Sequence, residues 1–407
     1  MTLVGGRSHP AFYAIIYLMK RTVAVIFGGR SAEHEVSVVT AHIPIMQALT
    51  AAGNYDIVPV YISEEGDWYS DPAFIDLKYF QQPGWRTAVA KLKKLDISVN
   101  GGLTLVWPGV RSKRKKIDLA FPSMHGTYGE DGSLMGLLRL SGVPFVGCDM
   151  AASAVAMDKI LTKQVAEAAG IPGVKYEWFS KAAFEADRAA CLAKLKDLKY
   201  PLFVKPPHLG SSIAITKVNK EKDLENAIEV ALHYDDKCLV EEGVHNLIEV
   251  TVPIMLSDSE EWLAKVERPN AEFFDFETKY IGSGGKKGGK SGGGVNTGYS
   301  EVPAKLEPKL YKECEDVAIA TARALGLYGI SRIDLLIDGK TKQVFMNEVN
   351  TLPGSLYAHN WRVAGYSTVE LVEKLIELAD KRAESLKNQH MIFNSEILKV
   401  VGSGQKG

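Results

Sequence analysis

The stretch VFMNEVNTLPG (344–354) reads as an apolar strand that carries Glu348 and Asn350 two residues apart. Because successive side chains of a strand point to opposite faces, these two share one face. A polar edge strand that runs into a Pro-Gly turn is the plain alternative. One strand earlier along the chain, SRIDLLID repeats the spacing with Arg332 and Asp334. If the two strands are neighbours in one sheet, an arginine, two carboxylates and an amide converge on one spot.

These four groups predict a site for a hard divalent cation. Carboxylate and amide oxygens suit Mg²⁺ or Mn²⁺ and not Zn²⁺. A nearby arginine fits a site that handles phosphates and developing oxyanions. The alternative is two buried ion pairs, which are costly unless the charges are well paired or bound to a metal. Asp334, Glu348 and Asn350 are therefore the candidate metal ligands.

Composition limits the class of protein. The 407 residues suit two or three domains, and 46% hydrophobic with 24% charged residues is typical of a soluble globular chain. Lys and Arg total 48 against 49 for Asp and Glu, so no basic field points to nucleic acid. The four cysteines match no zinc or redox spacing and suit a reducing compartment, which predicts the cytoplasm.

The N-terminus raises the question of a targeting segment. HPAFYAIIYLMKRT is too short to cross a bilayer and has no evident cleavage site. The preferred interpretation is that translation begins at Met19, so that residues 1–18 would not be native; residues 1–20 are set apart as an N-terminal extension. No membrane partner is expected.

The rest of the chain predicts three units and a tail. TVAVIFGG and DIVPVYIS are strands around a helical segment, Glu33 to Ala52, that Pro44 should kink or split, and strand–helix–strand favours a parallel sheet. Residues 70–116 read as irregular, with RSKRKK as a charged turn, and IDLAFPSMHG and GVPFVG read as further strands. MAASAVAMDKILTKQVAEAAG reads as one amphipathic helix. The predicted units are residues 21–148, 149–243 and 244–388, followed by a tail, 389–407.

Two glycine turns are candidate binding loops. FVKPPHLGSS places Lys205 on a strand before Gly210, Ser211 and Ser212, whose amides and hydroxyls would cover phosphate oxygens; an ordinary hairpin is the alternative. In GGRSAEHEVS, Ser31 is placed to cap a helix, which puts Glu33 near a helix N-terminus. Complementation of the helix dipole would explain that glutamate equally well.

Taken together, the chain resembles an ATP-grasp ligase, and specifically the D-alanine–D-alanine ligase family. Eight motifs occur in family order: GGRSAEHEVS (28–37), HGTYGEDG (125–132), MDK (157–159), VKPPHLGSS (204–212), LVEEGV (239–244), DFETKY (275–280), RID (332–334) and NEVNTLPGS (347–355). The resemblance implies an α/β, three-domain ATP-grasp architecture. Its N-terminal parallel α/β (preATP-grasp) domain is followed by two α+β domains that clamp ATP.

The resemblance also implies the chemistry. ATP would phosphorylate the carboxylate of one D-alanine, and the amine of a second would attack the acyl phosphate, giving D-Ala-D-Ala for peptidoglycan precursors. Two Mg²⁺ or Mn²⁺ ions, held by Asp334, Glu348 and Asn350, would assist. A homodimer is implied as well.

Site roles carry over residue by residue. Glu33 would bind the ammonium of the first amino acid and, with Ser211 and Tyr280, hold two loops shut. Arg332 and the amide of Gly354 would stabilise the tetrahedral oxyanion. His125 would lie near the acyl phosphate, with an exposed loop histidine as the alternative. The implied nucleotide contacts are Lys159, Lys205 and Ser212 at the phosphates, Glu241, Glu242 and Val244 at the adenine, and Glu249 at the ribose. Lys279 would reach either the γ-phosphate or the carboxylate of the second substrate.

Two departures from the family pattern leave alternatives open. After Gly354 the chain runs SLYAHNWRVAG, about four residues shorter than in typical members, so that the serine expected to bind the second substrate has only Ser355, His359 or Asn360 as replacements. The segment 281–298 is rich in Gly and Lys and is expected to be a mobile loop, its lysines serving solubility. One alternative is a related ligase with another amino acid, hydroxy acid or peptide as second substrate. A nucleotide-binding protein without catalysis is disfavoured, because the four clustered polar groups are all present.

Overall fold

A computed structural model describes residues 20–210, 213–269, 295–296, 300–389 and residue 395. The expectations for the extension, the tail and the glycine-rich segment 281–298 fall almost wholly outside these residues. Within the described part of the chain, no helix has both the length and the apolar character needed to span a bilayer.

The first sheet grows from β1, whose sequence RTVAVIFG is buried from its third residue onward. Strands β2 and β7 flank β1 and run parallel to it, and β3 pairs antiparallel with β2 at the edge. The parallel pairing predicted from strand–helix–strand order is confirmed. The strands of this unit are β1 Arg21–Gly28, β2 Tyr55–Ile62, β3 Trp68–Tyr69, β4 Asp96–Ser98, β5 Thr104–Trp107, β6 Lys113–Lys116 and β7 Leu119–Pro122.

The crossover after β1 is split at Pro44, as its sequence predicts. Helix α1 (His34–Thr40) runs into a π-helical turn, Ala41–Met46, before α2 (Gln47–Ala52). Proline lacks the backbone N–H that would donate a hydrogen bond at this point of an α-helix, and the wider π turn accommodates the missing bond. The capping prediction is wrong in detail, since Glu33 occupies the cap position while the Ser31 hydroxyl accepts from the Glu33 amide.

Residues 70–116 are not irregular, contrary to the sequence reading. They form a 3₁₀ turn at Pro72–Ile75, two short helices, and an antiparallel sheet in the order β4–β5–β6. The charged run belongs to the exposed edge strand β6, and lysines on such an edge discourage pairing with other chains. The predicted strand in GVPFVG is also wrong, since only Phe145 bridges to Ala120. The helices of this region are α3 Leu77–Gln81, α4 Trp85–Ala90 and α5 Ser133–Ser141.

The predicted single helix after residue 149 is two helices, α6 (Met150–Met157) and α7 (Lys159–Ala168). Asp158 separates them, because its backbone is extended and its side chain caps α7 by accepting from the amides of Ile160 and Leu161. Propensity favours a continuous helix here, and the capping carboxylate overrides it. Both helices pack with the third sheet, described below.

A second sheet is antiparallel, in the order β10–β9–β11–β8. Its helices cover one face and enclose a core with Phe179, Phe184 and Ile228. The elements are β8 Tyr176–Ser180, α8 Lys181–Ala186, α9 Arg188–Lys194, a 3₁₀ turn Leu195–Asp197, β9 Leu202–Lys205, β10 Thr216–Val218, a 3₁₀ turn Glu221–Asp223, α10 Leu224–Tyr234 and β11 Lys237–Glu242.

The third sheet is antiparallel as well, in the order β13–β12–β17–β18. Its core face carries Val252, Ile333 and Leu335 against α11. A smaller sheet, β14–β16–β15, lies beside it. The elements are β12 Leu247–Leu256, β13 Glu261–Leu263, β14 Arg268–Pro269, β15 Val295–Asn296, β16 Ser300–Val302, α11 Pro308–Ala324, β17 Gly329–Asp338, β18 Val344–Asn350, a 3₁₀ turn Gly354–Tyr357 and α12 Ala358–Val363.

The last helix, α13 (Thr368–Lys387), joins the third unit back to the first. It starts in a capping box of Ser367 and Glu370 and buries its apolar face in the same core as β1. In the C-terminal half of this helix, Asp380 accepts two hydrogen bonds from Arg21, at 2.7 and 2.5 Å. The first and third units therefore share one hydrophobic core.

Substitution of Gly28, at the end of β1, tests whether its close contact with the Ile62 backbone fixes the turn that follows the strand. Its φ is +89°, and a Cβ there would lie 2.2 Å from the Ile62 carbonyl oxygen. We expect Gly28→Ala to cost at least about 3 kcal/mol, from left-handed strain and overpacking together. Gly53→Ala is the matched control, because Gly53 also has positive φ (+77°) but open space around its Cβ.

The measurement is the thermal midpoint of each variant. Gly28→Ala should fall by at least roughly 6 °C, and Gly53→Ala by roughly 2–4 °C. Equal shifts for the two variants would show that the contact with Ile62 does not constrain the turn.

Candidate functional site

Strands β17 and β18 bring the four predicted polar groups together. In their antiparallel register Arg332 lies opposite Asn350, and Asp334 lies opposite Glu348. The predicted adjacency is therefore confirmed. A register shift follows Asp334, where Leu335 pairs with Met346 and the intervening Asn347 has no partner. This bulge turns Met346 into the core while Glu348 keeps to the polar face, a device common beside functional sites.

Arg332 is the most deeply buried member of this group, with 4% of its side chain exposed. Its Nε donates to Asp334 Oδ1 at 2.6 Å and its Nη2 donates to Oδ2 at 2.5 Å. Burial opposes the charge, but the field of Asp334 outweighs it and holds the pKa of Arg332 above its ordinary value. The guanidinium also lies 5.1 Å from the ring centre of Tyr357. A fixed positive charge therefore stands beside the two carboxylates.

The donor set fits a divalent cation. Asp334 and Glu348 supply carboxylate oxygens and Asn350 an amide oxygen, which are the hard ligands that Mg²⁺ and Mn²⁺ prefer. Asn350 Nδ2 donates to Asp334 Oδ2 at 3.2 Å, so the amide already contacts the same carboxylate that Arg332 orients. Each carboxylate oxygen has two lone pairs, and the bonds from Arg332 leave acceptor capacity for a cation.

Lys159 connects this cluster to a second loop. The loop 206–210 follows β9, and we call it the phosphate loop after the ligand that its sequence predicts. Lys159 Nζ donates to its Leu209 carbonyl at 2.8 Å. The same ammonium lies 3.4 Å from Glu348 Oε2. Lys159 is the first residue of α7, so the capping of that helix by Asp158 also fixes the position of the Lys159 backbone.

A buried triad of Lys163, Glu241 and Lys205 lies in the second unit. Both ammonium groups contact the Glu241 carboxylate, and all three side chains are at most 8% exposed. Burial raises the pKa of Glu241, but the two lysines outweigh it and leave the pKa lowered. Burial also lowers the pKa of Lys163, against the charge of Glu241. Two lysines that face one carboxylate still favour an anionic ligand. Sequence reasoning missed Lys163, although it stands four residues after Lys159, on the same face of α7.

On the other side of the site, Glu33 lies between two glycine turns. A Cβ on Gly126 would stand 3.0 Å from Glu33 Oε2, and one on Gly210 would stand 3.3 Å from it. The carboxylate is thus next to both the phosphate loop and the HGTYGEDG turn. The family resemblance implies a role for Glu33 in loop closure, which stays a prediction.

His125 is buried, so the alternative of an exposed loop histidine is wrong. Its Nε2 lies 2.9 Å from Thr40 Oγ1. Burial lowers the pKa of His125 to about 4, so the ring is neutral at neutral pH. The Thr40 hydroxyl also accepts from the Ser355 amide at 2.9 Å, which ties His125 to the turn that follows Gly354.

Glu130 is a site residue to which the sequence analysis gave no role, although it lies inside the HGTYGEDG motif. Its carboxyl oxygens accept from the amides of Gly126, at 2.8 Å, and Leu352, at 3.2 Å. Burial, reinforced by the charge of Glu33, raises the pKa of Glu130 to about 8. Glu130 therefore binds the HGTYGEDG turn to the NTLPG turn.

The turn after Gly354 is left-handed at three successive residues. Ser355, Leu356 and Tyr357 have φ values of 50°, 52° and 48°. Such a run in non-glycine residues is strained and is typical of functional sites. Of the three proposed replacements for the missing serine, Asn360 is fully buried and donates to the Lys265 carbonyl, while His359 Nε2 pairs with Glu267 at 2.9 Å. Ser355 stands at the start of the left-handed run.

The remaining predicted residues are less clustered. Glu242 turns its carboxylate to the Lys199 amide, away from the triad, and Val244 follows it half-buried. Glu249 lies on β12 opposite Leu336. Ser211, Ser212, Lys279 and Tyr280 lie outside the described residues.

Comparisons with known proteins agree on one family. Residues 22–148 match the family model for the D-ala D-ala ligase N-terminus, and residues 165–377 match that for the D-ala D-ala ligase C-terminus. A D-alanine–D-alanine ligase of Acetivibrio thermocellus is 34% identical over 89% of this chain and 96% of its own length. One of Deinococcus radiodurans is 34% identical over 89% of this chain and 99% of its own.

Solved structures give the same result. The VanG D-Ala:D-Ser ligase of Enterococcus faecalis superposes with a TM-score of 0.72 at 31% identity, covering 89% of this chain and 100% of that one. The D-alanine–D-alanine ligase of Coxiella burnetii superposes with a TM-score of 0.73 at 27% identity, covering 90% and 96%.

Glu130→Ala tests whether the link between the two turns matters. The change leaves two buried amides without an acceptor, so we expect the free energy of unfolding to fall by about 2–5 kcal/mol. Thermal unfolding checks this, with Glu185→Ala as the control, because Glu185 is exposed on α8. A Glu130→Ala midpoint equal to that of the control would contradict the assigned role.

Proposed function

We propose that this chain, which belongs to the D-alanine–D-alanine ligase family, joins two D-alanine molecules at the cost of one ATP. The products are D-Ala-D-Ala, ADP and phosphate, and the dipeptide supplies peptidoglycan precursor synthesis. The single observation that carries the proposal is the register of β17 and β18, which gathers Arg332, Asp334, Glu348 and Asn350.

The first step activates a carboxylate. A carboxylate oxygen of the first D-alanine attacks the γ-phosphorus of ATP, the bond to the β,γ-bridging oxygen breaks, and ADP leaves. The oxygen that made a poor leaving group is now part of an acyl phosphate, a mixed anhydride from which phosphate can leave. We assign Lys159 and Lys205 to the ATP phosphates. Lys159 contacts Glu348 and the Leu209 carbonyl of the phosphate loop, and Lys205 contacts Glu241 in the buried triad, which supports this assignment. Mg²⁺ or Mn²⁺, when bound, would neutralise part of the negative charge of the phosphates.

The second step forms the peptide bond. The amine of the second D-alanine attacks the carbonyl carbon, loses a proton, and the tetrahedral intermediate collapses with release of phosphate. We assign Arg332 and the Gly354 amide to the oxyanion, since Arg332 keeps its charge in a buried setting. One such donor typically lowers the barrier by roughly 3–4 kcal/mol.

Closure of the site protects the acyl phosphate from water. Glu33 lies between the two glycine turns and is assigned to the ammonium of the first D-alanine and to the loop latch with Ser211 and Tyr280. The neutral His125 is assigned to the neighbourhood of the acyl phosphate. Exclusion of water also strengthens each electrostatic contact inside the site.

The finer parts of the assignment rest on family likeness and on the donor set. We propose two Mg²⁺ or Mn²⁺ ions at Asp334, Glu348 and Asn350. We also propose a homodimer in the cytoplasm, where ATP is available.

A second candidate is a ligase with a different second substrate. The shortened turn with its left-handed residues Ser355 to Tyr357 favours it, because this segment replaces the expected serine. The solved relative described as a D-Ala:D-Ser ligase shows that such specificities occur among similar proteins.

The test is ADP release with D-alanine alone and with D-alanine plus D-serine, other amino acids, D-lactate or small peptides, with mass analysis of products. We expect turnover with D-alanine alone and D-Ala-D-Ala as the product. Turnover only with a mixture would favour the second candidate. Nucleotide binding without turnover on any mixture would contradict a ligase function.

Glu348→Gln tests the metal assignment in the same assay. It keeps the size of the side chain and removes the charge, so turnover should fall at least about 100-fold while the melting temperature holds. Turnover like that of the wild type would refute the metal assignment.

A further inference from the structure

His208, in the middle of the phosphate loop, sits between two carboxylates from different elements. Its Nδ1 lies 2.9 Å from Asp235 Oδ1, and its Nε2 lies 3.2 Å from Asp158 Oδ2. Its backbone amide also donates to Asp235 Oδ2, at 2.9 Å. Both acids are deeply buried, with 4% of the Asp158 side chain and 5% of the Asp235 side chain exposed. Three contacts therefore fix this one loop residue.

The two acids are themselves anchored. Asp158 caps α7, immediately before Lys159, and also accepts from Lys237 Nζ at 2.7 Å. Asp235 follows α10. His208 therefore bridges the start of α7 to the end of α10 across the phosphate loop. Lys159 fastens the same loop twice, through its amide to Pro207 and its ammonium to Leu209.

The groups around His208 resemble a metal-binding cluster, but the protonated ring of His208 provides the positive charge that a metal ion would provide. Ligand atoms of His208, Asp235 and Asp236 lie within 4.8 Å of one another. However, both ring nitrogens of His208 already face carboxylates, which leaves no lone pair for a metal. Hydrogen bonds to Asp158 and Asp235 raise the pKa of His208 to about 9, against a smaller effect of burial. The imidazolium thus takes the place of a bound ion at neutral pH.

We propose that His208 is a positioning residue, which holds the phosphate loop over Lys159 in the geometry that nucleotide phosphates require. The inference rests on the proposed function, because it assumes that nucleotide phosphates bind at this loop. His208 acts through the loop and through Lys159. Loss of the bridge would leave the fold in place and weaken nucleotide binding.

The sign of the pH dependence follows from the folded and unfolded states. The folded pKa, about 9, lies above the ordinary value of 6.5. The contribution of the bridge to the free energy of unfolding is therefore full below about pH 6.5 and is lost as the pH rises through about 9. Within the folded chain the ring loses its proton near pH 9, and the affinity for ADP should fall there. The charged groups that face the ring are Asp158 from α7, Asp235 and Asp236 after α10, and Lys237 from β11. Burial raises the pKa values of Asp158 and Asp235, but the hydrogen bonds from His208, joined at Asp158 by Lys237 and the Leu161 amide, outweigh it and leave both pKa values lowered. Both acids therefore remain ionised through this range.

The experiment is titration of the full chain with ADP and Mg²⁺ from pH 6.5 to 10, by calorimetry, without amino acids. At pH 7 we expect His208→Gln to weaken binding roughly 10-fold and to lack the wild-type loss of affinity near pH 9. His208→Arg keeps a cation at every pH, so it should bind more tightly than His208→Gln and also lack the step near pH 9. His233→Ala is the control, because His233 is an exposed histidine on α10.

A merely structural role gives a different result. His208→Gln would then lower the melting temperature while the affinity for ADP and its pH profile stayed as in the wild type, and the proposal would be overturned. A wild-type chain with no loss of affinity near pH 9 would overturn it as well. Because the readout needs no turnover, a failure of D-alanine ligation stays distinguishable, as it leaves ADP binding in place.

Discussion

The contact between Arg332 and Asp334 is the one on which the site depends. A guanidinium with 4% of its surface exposed would cost several kcal/mol if it had no partner, and Asp334 meets it with two short hydrogen bonds. Both residues lie on one strand, two positions apart, so the pair forms wherever β17 forms. The pairing with β18 then places Glu348 and Asn350 alongside it. The charged face is thus a consequence of strand register, and the opposite face of the same strands supplies the core.

The surrounding loops are joined to this face by a small number of buried polar contacts. Lys159 reaches from Glu348 to the phosphate loop, and Glu130 joins the HGTYGEDG turn to the NTLPG turn. The Thr40 hydroxyl contacts both His125 and the amide of Ser355. Each contact links elements that are far apart in sequence. Because most of these groups are buried, the loss of one partner would leave a buried donor or acceptor unsatisfied, which is costly.

What the sequence predicts well here is what depends on local periodicity. Alternation along two strands places Arg332, Asp334, Glu348 and Asn350 on one face, and Pro44 marks the split helix. The bulge at Asn347 could not be predicted, since it depends on how β18 pairs. The partners of Glu130 and His208 come from other elements, so their roles appear only when the chain is folded. The break at Asp158 was missed because helix propensity on both sides hides a capping residue.

We propose that the β17–β18 face holds the divalent cations of the reaction. Crystals grown with ADP and MnCl₂ and measured at the manganese absorption edge test this directly. We expect anomalous peaks about 2.0–2.3 Å from oxygens of Glu348, Asp334 and Asn350, next to the nucleotide phosphates. Bound ADP with manganese peaks elsewhere, and none at these three side chains, would contradict it.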